Sequence, residues 1–171
     1  EDDGACVLFD CKAAFPSVNH SFLSWMFRVV RRAPEWLLNF LECSYRRILH
    51  LFRHGGAEAV GAAVQAGIRQ GDALSVWVFV ICFDLLLASL AVHVLEDGEE
   101  AFGFADDLAL ALRSKDRLLR VIPVIVRFSR FSKLFLHPVK TVWLAPWPTR
   151  ADVEARWNAG RERLGDLADL L

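Results

Sequence analysis

Three carboxylates are the residues of this sequence whose types and spacing point to chemistry. Asp10 closes the apolar run ACVLFD, and Asp106 and Asp107 stand side by side within AFGFADDLALAL. Hard oxygen ligands delivered from separate backbone segments are what phosphoryl transfer by two divalent cations about 3.5–4 Å apart requires. One ion then activates an attacking hydroxyl while the other holds a triphosphate. Taken alone, an Asp-Asp pair at a hairpin tip is more often a solvated turn than a metal site. Nearly a hundred residues separate Asp10 from the pair, so their meeting depends on the elements that carry them.

Residues 5–10 read as a buried strand that ends on Asp10. A helical pattern, FLSWMFRVV, lies between Ser21 and Arg32, and Pro34 opens a second helix over EWLLNFLECSYRR. Between 47 and 68, Gly55, Gly56, Gly61 and Gly67 break apolar segments into a loose hairpin. A long apolar helix over 73–95 leads to the acidic turn EDGEE. Residues 101–112 read as two short strands around an Ala-Asp-Asp tip, where the carboxylates are solvated or metal-bound. Ser114 caps a helix with Leu118, Leu119, Ile122, Ile125, Val126 and Phe128 on its apolar side, and Pro123 implies a kink or a late start. TVWLA at 141–145 reads as a last strand, and Thr149 with Asp152 resembles the capping box of a charged helix ending near Leu164. Hairpins mixed with packed helices give an α+β fold, a small antiparallel sheet with helices on one face.

The 171 residues, 54% of them hydrophobic, suit one domain with a sizeable core. Twenty basic residues against 21 acidic ones leave no basic footprint of a nucleic-acid binder. Cys6, Cys11, Cys43 and Cys82 form no CxxC pair and read as reduced, mostly buried thiols in a reducing compartment. Glu1, Asp2 and Asp3 are the reverse of the basic start of a signal peptide, so the expected location is the nucleus or cytoplasm. The 73–95 segment is long enough to span a bilayer. Asp84 near its centre would cost roughly 2.5–3.5 kcal/mol there, and no basic cluster flanks it, so a buried core helix and no membrane partner are expected.

The order of the segments adds a resemblance. LFDCKAAFPSVNH resembles the first palm motif of reverse transcriptases, an Asp followed five residues later by an aromatic. GIRQGDALSVWVFVICFDLL resembles the second motif, FADDLALAL the third and LFLHPVKT the fourth, in the family's order over residues 5–144. AFPSVNH and GIRQGDALS are most similar to the wording of non-LTR, LINE-type retrotransposon polymerases. The resemblance implies a right-hand polymerase palm over 1–148, with fingers and thumb largely missing, and a helical C-terminal extension over 149–171.

It also implies roles. Asp10, Asp106 and Asp107 would hold two Mg²⁺ ions, with Mn²⁺ as a substitute, and Lys140 would protonate or steady the leaving pyrophosphate. Phe15 falls at the steric gate against a ribose 2′-hydroxyl, Cys11 at the nucleotide, and Gln70 and Gly71 where the second motif meets template and incoming base pair. Without the motifs, Phe15 reads as a core aromatic, Gly67 and Gly71 as a plain turn and Lys140 as a solvated charge. The implied function is RNA-directed DNA polymerase of a retroelement, with RNA template, DNA primer and dNTP as partners. A catalytically inactive remnant that only folds or binds is the alternative. Pro16 replaces the usual second acid of the first motif, Ala73 and Val76 replace the second motif's prolines, and His137-Pro138 stands where an Asn is usual.

Overall fold

Strand β1, Ala5–Lys12, alternates its side chains. Ala5, Val7, Phe9 and Cys11 are buried while Leu8 and Lys12 are exposed, the period-2 pattern of a strand with one face on the core. The computed structural model describes residues 4–45 and 48–144. After β1 come the short helix α1 (Ala14–Ser17), helix α2 (His20–Trp25) running into a π-helical turn over Met26–Val30, and α3 (Glu35–Tyr45). Strands β2 (Leu49–His54) and β3 (Ala57–Ala63) form a separate hairpin; then follow α4 (Ala73–His93), β4 (Glu100–Phe104), β5 (Asp107–Leu112), α5 (Leu118–Ser132), β6 (Phe135–Leu136) and β7 (Val142–Leu144). The last strand expected over 141–145 forms as β7, while the charged helix expected after Thr149 lies outside the described residues.

β1 is the centre of the main sheet, whose order is β4-β5-β1-β6 with β7 also on β1. Its antiparallel register with β5 runs from Ala5 opposite Leu112 to Asp10 opposite Asp107. On its other edge β6 pairs with Cys11 and Lys12, and β7 with Cys6 to Leu8. One face of this sheet packs on α4 and α5, where Phe79, Leu86, Ile122 and Ile125 meet Val7, Leu108 and Leu110 in one core. The α+β class expected from the element order is what forms.

Several local expectations shift. The helix expected from Ser21 begins one residue earlier because the Asn19 side chain accepts from the Ser21 and Phe22 amides at 2.8 and 3.1 Å. Ser114 makes no side-chain cap; a single 3₁₀ turn over Lys115–Arg117 leads into α5 instead. Pro123 does not stop α5, since it lies on the exposed side of the helix, where water can take the carbonyl that loses its partner. Helix α4 is long and apolar enough to cross a membrane by length and composition. Val78, Phe79, Cys82, Phe83, Leu86 and Leu90 on it are buried, whereas Val76, Trp77 and Val92 are exposed, and Asp84 pairs with Arg31. Cys43 is exposed, against the expectation of mostly buried thiols, because it lies on the outer side of α3.

The acidic turn holds more than solvated charge. The Glu99 side chain is fully buried, and both its oxygens accept from Arg117 at 2.8 Å, while Arg117 also donates to the Val94 carbonyl at 2.6 Å. Arg117 holds the Glu99 carboxyl down to about 2 from its ordinary 4.5. The folded value is the lower one, so this stabilisation is complete above about 4.5 and fades as pH falls toward 2. Glu99→Gln removes the buried carboxylate of the pair and leaves Arg117 with the half-exposed Glu96 at 2.8 Å, which should cost about 2 kcal/mol at neutral pH. Urea melts across pH test this: the gap between wild type and variant should shrink in acid, and a gap independent of pH would contradict the assignment.

Candidate active site

Residues directly opposed in an antiparallel pair share a face of the sheet with Cβ atoms about 4.5–5.5 Å apart. Asp10 and Asp107 are such a pair. Asp106 sits in the tight turn between the ends of β4 and β5, where Phe104 and Asp107 are paired and Ala105 takes φ 53°. The Cys11 amide donates to the Asp106 carbonyl at 3.2 Å, which fastens this turn to β1 one residue past Asp10. The His137 amide donates to the Asp10 carbonyl at 2.7 Å, so the segment before β7 is fastened there too. The turn built on Pro138–Lys140 then brings Lys140 Nζ to 2.6 Å from Asp10 Oδ2. This contact pairs the Lys140 ammonium with an Asp10 oxygen that is otherwise shut off from water.

Two neighbours report the same convergence of charge. Burial first, and then Asp106, Asp10 and Asp107, push the Cys11 thiol up to about 12. Contact with Asp10, its charge, and then Asp106 and Asp107 raise the pKa of Lys140, so its ammonium stays protonated at neutral pH. Asp10, Asp106, Asp107 and Lys140 are thus brought to one end of the sheet from three separate stretches of chain. The register partner of Asp10 is Asp107, whereas the motif reading placed Asp106 first.

The donor set fits a hard divalent cation. Among the described residues no three His, Cys, Asp or Glu side chains close into a preformed cage. Mg²⁺ usually takes one or two carboxylates and completes its shell with water and substrate phosphates. Opposed carboxylates, one of them already drawing the positive charge of Lys140, suit that kind of site.

The other sequence candidates lie on either side. The Cys11 side chain turns into the core, so its sulfur is not presented beside Asp10. Phe15 is half-buried on α1 and stacks on Phe79 of α4, centroids 4.8 Å apart at 20°, with Phe79 stacked in turn on Phe83. Gln70 and Gly71 are exposed in the turn before α4, whose Leu74 amide donates to the Asp72 side chain at 3.0 Å. Gly71 takes φ 89° with open space around it. Gly67, also expected to admit a nucleic-acid backbone, serves the protein's own packing: at φ 105°, a Cβ there would sit 3.1 Å from the Pro16 carbonyl oxygen. His20 is a residue the motif reading passed over, although AFPSVNH ends on it. Its Nε2 lies 2.8 Å from the Gly67 carbonyl.

The sequence matches the family described as reverse transcriptase (RNA-dependent DNA polymerase) over residues 3–159. The chain belongs to this family. It is 30% identical over 146 residues to the retrovirus-related Pol polyprotein from type-1 retrotransposable element R2 of Popillia japonica, covering 80% of this chain and 20% of that protein. The non-LTR retrotransposon wording of its motifs agrees with that relative. Telomerase from Candida tropicalis, solved in complex with a fragment of telomeric RNA, superposes with a TM-score of 0.71 at 14% identity, over 84% of this chain and 26% of that one. Telomerase from Candida albicans superposes with a TM-score of 0.58 at 14% identity, over 86% of this chain and 28% of that one. At such identities these likenesses show the fold, a polymerase palm. This reverse transcriptase region spans about a fifth of the R2 relative's length.

Proposed function

We propose that this reverse transcriptase region carries the catalytic acids of an RNA-directed DNA polymerase, which joins a dNTP to a DNA primer on an RNA template. The observation that carries the reading is Asp10 facing Asp107 across β1 and β5, with Asp106 fastened beside them by the Cys11 amide. In the reaction the primer 3′-hydroxyl attacks the α-phosphate, its oxygen forms the new phosphodiester, and pyrophosphate leaves. Asp10, Asp106 and Asp107 would hold two Mg²⁺ ions, or Mn²⁺ in their place, whose charge would acidify the hydroxyl and neutralise the triphosphate. The rigid register of β1 and β5 keeps the carboxylates in place before substrate arrives, so catalysis is mainly positioning and charge neutralisation. Lys140, protonated beside Asp10, can place a proton or a fixed positive charge at the departing pyrophosphate.

Phe15 is the sugar gate in this reading, braced from behind by Phe79. The test is extension of a primer on an RNA template by the complete protein, with deoxy- and ribonucleotides in competition. Wild type should incorporate dNTPs, and Phe15→Ala should raise ribonucleotide use relative to deoxynucleotide use about ten- to a hundredfold. No RNA-templated synthesis by the wild type would overturn the polymerase reading. Synthesis with an unchanged ratio in Phe15→Ala would return Phe15 to the core.

A further inference from the structure

The segment from Phe15 to His20 and the loop from Gln65 to Ile68 lie against each other as a short antiparallel zipper. The Ile68 amide donates to the Phe15 carbonyl at 2.7 Å, the Gly67 amide to Val18 at 2.8 Å and the His20 amide to Gln65 at 3.1 Å, with Asn19 bridged to Ala66. One strand of the zipper begins at the gate Phe15. The other leads into Gln70 and Gly71. A single side-chain bond crosses between these strands where the loop turns away: His20 Nε2 to the Gly67 carbonyl at 2.8 Å. A carbonyl only accepts, so Nε2 carries the proton in this bond.

We infer that His20 is a positioning residue, whose Nε2–H bond to Gly67 sets the direction in which the Gln70–Gly71 turn leaves the gate segment. The inference rests on the polymerase reading and adds to it the coupling between gate and template loop. The peptide that joins Gly67 to Ile68 is held on one side by the Ile68 amide in the zipper, and its Gly67 carbonyl faces the other way. Gly67 stands at φ 105° against the Pro16 backbone, a conformation open to a range of neighbouring geometries because no Cβ restricts it. The imidazole anchors that carbonyl, so the peptide is held from both sides. The ring is in turn held by Tyr45, with centroids 5.5 Å apart and planes at 54°, at the end of α3. Next door Arg69 donates to the Ser44 carbonyl at 2.8 Å, so α3 braces both sides of the bond. Beyond Arg69, Gln70 and Gly71 are exposed and take their place from these anchors.

A histidine that served only as packing would be replaceable by any side chain of similar bulk, whereas a positioning histidine requires a donor at the Nε2 place. In the complete polymerase, His20→Leu should raise KM for dNTP about tenfold with a smaller change in kcat, and should weaken discrimination against ribonucleotides. His20→Gln, whose amide nitrogen reaches the Nε2 place, should restore both. If His20→Leu does not fold, His20→Gln compared with His20→Asn decides, because Asn carries its donor one bond too short. Gln like wild type and Asn impaired is the expected result. Equal behaviour of Gln and Asn, or an active His20→Leu with unchanged KM and discrimination, overturns the inference. A wild type that extends no primer overturns the polymerase reading and this inference with it.

Discussion

Asp10→Asn or Asp106→Asn in the complete polymerase should lower primer extension about a thousandfold or more while leaving the fold intact. Each substitution keeps the shape of the side chain and removes the charge through which a cation is held. The missing electrostatic stabilisation is of the size measured when one preorganised group is lost from a water-excluded site, roughly 10²–10³, and the two acids act on the same reacting atoms. Folding should not suffer, because the carboxylates converge with like charge, offset among the described residues by the Lys140 ion pair with Asp10. Steady-state rates read the first effect and thermal melting the second. A variant that retains most of its rate would remove that carboxylate from the chemistry.

Residues 1–171 expressed alone should fold and yet extend no primer. The core that joins β1, β5, α4 and α5 is complete within the described residues, which supports folding. Polymerisation also needs a cationic grip on the triphosphate and a clamp on the primer. The chain spans 20% of its R2 relative, its charges sum to near zero, and Lys140 at the acids is paired to Asp10. Loss of one positioning element can cost about a hundredfold, and a chain that covers a fifth of its relative should have a rate below detection. Primer extension with Mg²⁺ or Mn²⁺, with Asp106→Asn as the blank, reads it. Activity above that blank would place the nucleotide-binding groups within this chain, with Arg69, Lys12 and Lys140 first in question.

The parts of this fold that were legible in the sequence share a cause. β1 is an apolar run that closes on Asp10, β5 an apolar run that opens on Asp107, and α4 a long apolar run, so local pattern and tertiary role agree in all three. The π-helical turn over Met26–Val30 was not legible, because its spacing differs from that of the helix it extends. β6 has two residues and exists only through its pairing with Cys11 and Lys12. The Glu99–Arg117 pair joins residues 18 apart, and nothing in EDGEE marks which acid is buried. At the site, the order of motifs named Asp10, Asp106 and Asp107. The register that sets Asp107 opposite Asp10, the Lys140 contact and the His20 bond are tertiary facts with no local signature.

Asp10 and the Asp106–Asp107 turn should hold the same divalent cations. Iron-mediated cleavage tests it most directly: Fe²⁺ is bound in place of Mg²⁺ in the complete polymerase with primer, template and dNTP, and the backbone cuts it generates are mapped. Cuts should cluster at two places together, the end of β1 around Asp10 and the β4–β5 turn around Asp106, and excess Mg²⁺ should suppress both. Asp10→Asn should abolish the cuts at both places. Cuts at only one of them, or cuts around Asp106 that persist at full strength in Asp10→Asn, would contradict a shared site.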